Sequence, residues 1–401
     1  MTTTRRSVLG LIGAAPVAAG GVMAVAGNAH AGSGTGSVPR DLRPGGALDR
    51  LIAELAERDE FSGSVLVDHR GRTVLARSHG MANREESIPN GPDTAFILGS
   101  INKIFTSVAI AQLAEQGALG YGDTLGARIG GFPPEIAERV TLHQMLTHTS
   151  GMGDFHRTAA YREQSPAWDS AEEVMRGITQ IVRELPLDFE PGTRASYSNS
   201  AYHVLGAVVE EVSGVPYHDY IRDRVLDAAG MDASAFHTRT QWHATPEIAR
   251  PYALQNGGEL VEVIDAHGFI GTPAGGAFST CGDLARFARA LLAGDLVGRA
   301  HADLLLSPKR PFNAGSEGES GGGESTTSAP EPGEMVFEAY GALSFLTGGR
   351  WMIQRGGGSP GVSTNLQFFP SDAGWAVVVL SNYGERAATP IAEMARRILT
   401  S

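Results

Sequence analysis

GSINKIFTS, residues 99–107, carries the first of only two lysines in the chain. Of 32 basic residues 30 are arginine, and Lys103 and Lys309 are the exceptions. A guanidinium keeps its proton at any ordinary pH, whereas a desolvated lysine can become weak enough a base to give its proton up. A lysine retained in such a background points to proton transfer. Ile101, Ile104, Phe105 and Val108 recur at helical spacing, Ser100 stands at the start, and Gly117 follows as a C-cap, so the stretch predicts a helix. Ser100 and Lys103 then lie on neighbouring turns of one face, the serine near the positive end of the helix dipole. A Ser-x-x-Lys pair arises by chance in many chains, so its partners must be sought elsewhere.

Upstream, GALDRLIAELAERDEF (46–61) places Leu48, Leu51, Ile52 and Leu55 at helical spacing, and SGSVLVDHRGRTVLARSHG (62–80) alternates on both sides of Arg70-Gly71, which predicts a helix followed by a β-hairpin. Downstream, residues 121–269 are rich in helical patterns, clearest in SAYHVLGAVVEEVSG (200–214), and a further helix is predicted at GDLARFARALLAG (282–294). Residues 313–334 are polar, acidic and low in complexity and predict a disordered loop. Strand-like runs follow at 337–346, 350–355 and 362–381, the last with a turn at PSDAG, and a final amphipathic helix at 386–399. Strands at both chain ends without a β-α-β rhythm predict an α/β composite of the α+β class. Its antiparallel sheet, flanked by helices, is assembled from residues 38–120 and 270–401, with an all-helical domain of residues 121–269 inserted.

With 401 residues, 42% hydrophobic and 19% charged, the chain can bury a large core. Residues 1–31 read as an export signal of the twin-arginine type: Arg5 and Arg6 precede an apolar Gly- and Ala-rich run, and NAHA ends on a small-x-small cleavage site after Ala31. The expected location is extracellular, periplasmic or cell-wall associated, with no stable membrane insertion after cleavage. Losing Arg5 and Arg6 takes the charge from −12 to −14, which argues against nucleic acid and anionic membrane surfaces as partners. Cys281 is the only cysteine, so no internal disulfide can form, and it reads as a small packed residue. Neither an H-E-x-x-H pattern nor a cysteine cluster is present, and no metal or cofactor is expected.

Two serines compete as nucleophile. Ser359 in GGSPG (357–361) fits the G-x-S-x-G elbow, but the residue after the serine must give its backbone N–H to the oxyanion, and Pro360 has none. That stretch reads as a glycine-rich turn. Ser100 finds partners: Tyr197-Ser198-Asn199 in PGTRASYSNSAY, 97 residues on, and Arg355-Gly356-Gly357 before the last strands. Ser-x-x-Lys, Tyr-x-Asn and a cation followed by glycines, in this order, resemble the serine β-lactamase and penicillin-binding protein superfamily, and within it the class C β-lactamase group with its esterase and D-amino-acid peptidase relatives. The resemblance runs from about residue 45 to residue 400 and includes LTHTSGM (146–152) and PAGGAFSTCGDLARFARAL (273–291).

The resemblance implies that Ser100 attacks a carbonyl while Lys103 and Tyr197 share its proton, each cation or phenolate lowering the cost of the other. It implies that Asn199 holds Lys103 and the substrate, that Arg355, Gly357 and Gly358 line the substrate site, and that the backbone N–H groups of Ser100 and Gly358 form the oxyanion hole. His143 and His148 are read as shaping the fold and the rim. Members of the superfamily carry Lys-Thr-Gly, His-Thr-Gly or His-Gly-Gly at the third motif. Arg355 keeps the charge there, and Gly356 lacks the hydroxyl that helps hold the carboxylate of β-lactams and D-Ala peptides. The implied function is an exported serine hydrolase acting on an ester, amide or peptide bond of a small-molecule or peptide substrate through an acyl-enzyme. A D-alanyl-D-alanine carboxypeptidase or β-lactamase is the alternative within the fold, and a catalytically silent binder of cell-wall fragments the alternative outside enzymes.

Overall fold

Trp375–Ser381 shows why the chain builds around one sheet. All seven residues are buried, and period-two alternation sends Trp375, Val377 and Val379 to one apolar cluster and Ala376, Val378 and Leu380 to another. Such a strand is stable only with helices on both faces. The computed structural model describes residues 38–255, 258–312, 333–370, 374–384 and 386–401. The export segment and most of the 313–334 loop lie outside the described residues.

Eight strands form the main sheet: β1 (Gly63–His69), β2 (Arg72–His79), β3 (Arg310–Pro311), β4 (Met335–Glu338), β5 (Leu343–Thr347), β6 (Arg350–Ser359), β7 (Val362–Phe368) and β8 (Trp375–Ser381). Their spatial order is β2-β1-β8-β7-β6-β5-β4-β3, with every neighbouring pair antiparallel. The pairing of β1 with β8, from Gly63 opposite Ser381 to His69 opposite Trp375, joins the two chain ends. The β1–β2 hairpin turns at Arg70 and Gly71, both at positive φ (56° and 78°), as a tight primed turn requires. Asp68 steadies that turn by accepting the Gly71 N–H at 2.9 Å.

Helices α1 (Ala47–Glu57) and α5 (Thr389–Thr400) cover one face, packing Leu48, Ile52, Ile391 and Leu399 on Val377 and Val379. The opposite face receives α2 (Asn102–Glu115) and α4 (Cys281–Ala293), and α3 (Asn199–Ser213) packs against α2. From Asn102 to Leu113 α2 is buried without interruption, so it is the central helix of the molecule rather than a surface helix with one apolar stripe. Between 121 and 269 the regular elements of the described chain are helices, joined by turns and loops, apart from a ribbon that pairs Tyr252–Leu254 with Leu260–Glu262. The core is continuous across these parts, with Ile104, Val204, Leu366 and Val378 in one cluster.

The run 337–346 is two strands, not one. Gly341 breaks it, at φ 79°, where a Cβ would stand 2.5 Å from Ser107 Oγ and 2.8 Å from the Lys103 carbonyl oxygen. β6 extends past residue 355 through three glycines to Ser359. The absence of side chains there lets the strand lie against the segment leading into α2, and it brings the third motif to the first.

Candidate active site

The nucleophile candidate sits on a short 3-10 turn, Gly99–Ile101, that feeds directly into α2. Gly99 makes the turn at φ 54°. Ser100 is partly exposed, and one helical step on, Lys103 is completely buried. The Lys103 ammonium donates to Ser100 Oγ at 3.2 Å, to Asn199 Oδ1 at 2.7 Å and to the Ala274 carbonyl at 2.5 Å, which uses all three of its protons. Burial pushes its pKa well below the ordinary lysine value, and the positive charge of Arg355 adds to this, while the negative charge of Asp154 opposes it. A fully buried lysine with three fixed acceptors can pass a proton without moving.

Tyr197 lies just before α3 and reaches Ser100, its hydroxyl 2.5 Å from Ser100 Oγ. Two cations face it. Lys103 Nζ is 4.7 Å from the ring centroid and the Arg355 guanidinium carbon 5.6 Å. Arg355 also donates from Nη2 to the Tyr197 hydroxyl at 3.1 Å and from Nε to the Ser100 carbonyl at 3.0 Å. Positive charge therefore lies on two sides of the tyrosine that touches the serine hydroxyl. Arg355 is therefore turned into the serine–tyrosine pair and is only 8% exposed.

The three glycines of β6 complete the site. A Cβ on Gly357 would fall 2.0 Å from the Leu98 carbonyl oxygen and 2.9 Å from the Ser100 nitrogen, and one on Gly99 2.9 Å from the Gly358 nitrogen. The peptides carrying the Ser100 and Gly358 N–H groups thus lie side by side, as a two-donor oxyanion site needs. Thr364 on β7 ties this contact by donating to the Leu98 carbonyl at 2.8 Å. The structure thereby gathers Ser100, Lys103, Tyr197, Asn199, Arg355, Gly357 and Gly358 from three separate stretches. It leaves Ser359 apart at the end of β6, opposite Val362, with its buried hydroxyl unpartnered among the described residues.

The floor of the site escaped the reading by pattern. The loop Thr272–Ala274 forms the floor: the side-chain amide of the fully buried Asn102 donates to the carbonyls of Thr272 and Pro273, at 3.0 and 3.2 Å. Backbone acceptors leave no trace in residue type. His148 clamps the tyrosine segment, accepting the Ser198 N–H on Nδ1 at 3.2 Å and the Ser196 N–H on its carbonyl at 2.9 Å. Its ring packs at a tilt against that of Tyr197, centroids 4.7 Å apart. Burial, then the charges of Arg355, Lys103 and Arg310, hold His148 well below the ordinary histidine pKa, so it serves as a neutral support. His143 instead pairs with the Tyr340 hydroxyl at 2.8 Å. Cys281 is buried with its thiol pushed up by burial. Among the described residues no group of three or more His, Cys, Asp or Glu side chains is placed to hold a metal ion, and no helix is long and apolar enough to cross a membrane.

The family model described as Beta-lactamase matches residues 48–399. The chain belongs to the Beta-lactamase family. This Beta-lactamase family chain is 30% identical over 319 residues to penicillin-binding protein 4* of Bacillus subtilis (strain 168), covering 75% of this chain and 67% of that one. It is also 30% identical over 216 residues to esterase EstB of Burkholderia gladioli, covering 51% and 54%. The chain thus spans between half and two thirds of the length of these curated relatives. Among solved structures, a penicillin-binding protein from Bacillus halodurans superposes with a TM-score of 0.71 at 27% identity, over 86% of this chain and 99% of that one. Members of the Beta-lactamase family are serine hydrolases, and this chain is an enzyme of that kind.

Proposed function

We propose that the protein is a serine hydrolase that forms an acyl-enzyme on Ser100 and cleaves an ester, amide or peptide bond in a small substrate. The observation that carries this is the placement of Ser100 Oγ between the Tyr197 hydroxyl at 2.5 Å and Lys103 Nζ at 3.2 Å. In the forward step Tyr197, as phenolate beside two cations, takes the serine proton while Oγ bonds to the substrate carbonyl carbon, and the developing oxyanion is met by the Ser100 and Gly358 N–H groups. The same proton then goes to the leaving oxygen or nitrogen, and water repeats the sequence to release the acid. Lys103 stays charged or passes a proton along its bonds to Ser100, and Asn199 fixes it.

Substrate preference follows from the third motif. Arg355 is bonded to the protein through two of its nitrogens, and Gly356 offers no hydroxyl. Both features favour a neutral ester or amide over a β-lactam held by its carboxylate. Assay of the protein with a nitrophenyl ester, a D-amino-acid amide and a chromogenic cephalosporin checks this: turnover of the ester or amide at a kcat/KM at least tenfold above the cephalosporin is expected, all of it lost in Ser100→Ala. Cephalosporin turnover equal to the best ester overturns the preference, and a complete lack of turnover and acylation supports a silent binder instead. We also propose export through the twin-arginine route, supported by Arg5, Arg6 and the NAHA site. Amino-terminal sequencing of the secreted protein should begin at Gly32, and a protein retained uncleaved in the cytoplasm contradicts it.

A further inference from the structure

Asn199 must present its oxygen, not its nitrogen, to Lys103, because an ammonium only donates. The two ends of an amide are nearly equal in shape, so something must hold it in one sense. Asp154 does so from the other side: its Oδ2 accepts the Asn199 Nδ2 proton at 2.7 Å, and an ionised carboxylate can face only the donor end. The Asp154 side chain is only 2% exposed. Its other oxygen accepts from the His156 backbone N–H at 3.0 Å and from His156 Nδ1 at 2.9 Å. Burial pushes this carboxyl up, but the hydrogen bonds and charge from His156 and the bond from Asn199 outweigh it and hold its pKa below the usual carboxylate value. The chain of contacts runs from half-exposed His156 through Asp154 and Asn199 to Lys103 and Ser100.

We propose that Asp154 is a positioning residue for the acyl-transfer chemistry: its buried carboxylate locks the Asn199 amide and thereby fixes Lys103 as a donor to Ser100. The inference rests on Ser100 being the nucleophile. The groups facing Asp154 are His156 on its own turn, Tyr161 on the helix Ala159–Gln164 and Lys103 on α2, with Arg355 acting on Lys103 from β6. His203 on α3 meets Phe155 of the same turn edge-on, and burial pushes its pKa down. Because the carboxylate favours the charged form of Lys103, its removal makes Lys103 a weaker base and moves the acid limb of the rate profile to lower pH.

The test uses the full chain and its pH–kcat/KM profile with a nitrophenyl ester, together with thermal unfolding, for the unsubstituted protein, Asp154→Asn, and the swap Asp154→Asn with Asn199→Asp. Asp154→Asn should lose about 10- to 100-fold in kcat/KM, the worth of one charged hydrogen bond at the base, with its acid limb displaced to lower pH. The swap keeps an amide–carboxylate pair but places the charge against Lys103, so its acid limb should move to higher pH than in the unsubstituted protein. If Asp154→Asn does not fold, the swap alone carries the test. Parallel profiles, or an equal fractional loss at every pH, would show that Asp154 merely supports the fold. Absence of ester turnover and of acylation in the unsubstituted protein removes the nucleophile reading, and the inference with it.

Discussion

Lys103 is the residue at which composition, geometry and chemistry meet. An arginine in its place keeps the charge, but a guanidinium cannot release its proton and its planar fork cannot point three donors at Ser100 Oγ, Asn199 Oδ1 and the Ala274 carbonyl. Lys103→Arg should therefore lower kcat by about 10²- to 10⁴-fold, the usual worth of a general base. Near-normal turnover by a folded variant, as judged by circular dichroism, would reduce the lysine to a structural cation. Arg355 makes a second case. A role confined to gripping a substrate carboxylate predicts that a neutral ester is indifferent to its loss, yet the guanidinium bonds to Tyr197 and lowers the proton affinity of Lys103 by its charge. Arg355→Met should thus slow neutral-ester hydrolysis too, and shift the acid limb of kcat/KM to higher pH, because the base pair loses the cation that weakens it. An unchanged profile with a neutral ester returns Arg355 to the substrate-binding set.

At the scale of elements, the hairpin at Arg70-Gly71 and the Ser-x-x-Lys helix were legible because their periods are local. The alternation in SVLVDH and the spacing of Ile101, Ile104, Phe105 and Val108 need no knowledge of neighbours. The glycines of β6 were legible as a motif but not as strand, since glycine weakens a strand on its own and is tolerated here only because the backbone of Leu98–Ser100 lies against it. Asp154 and the carbonyls of Thr272–Ala274 were not legible, because a buried acceptor and a backbone oxygen carry no periodic signal. Gly357→Ala tests the contact. Its Cβ would meet the Leu98 carbonyl oxygen at 2.0 Å, so β6 must shift away from Ser100. Acylation should slow by about 10²- to 10³-fold, as when an oxyanion donor is lost, and a rate within threefold of the unsubstituted protein would show that the strand can give way without disturbing the donors.

For the whole molecule, the sheet joins both chain ends through β1 and β8, and the site lies where the buried helix α2 begins against β6. That continuous core shelters histidines which must stay neutral. His203, fully buried, has its pKa pushed by burial from the ordinary 6.5 down to about 3. Between those values the unfolded chain binds a proton that the folded chain refuses, so stability rises with pH and is lost on acidification below 6.5, by up to about 1.4 kcal/mol per pH unit for each such group. Urea unfolding at pH 7 and pH 5 should show the loss, and His203→Gln should reduce its slope. An equal slope in both proteins would mean that other groups set the acid sensitivity.

The proposed acyl-enzyme on Ser100 is a covalent claim, and acid-quenched digestion after brief reaction with a slowly released acylating ester reads it directly. Peptide mapping by mass spectrometry should find one acyl group per chain, on Ser100, with the adduct absent from Ser100→Ala and slow to form in Lys103→Arg. An acyl group on Ser359, or on any residue other than Ser100, would contradict the account.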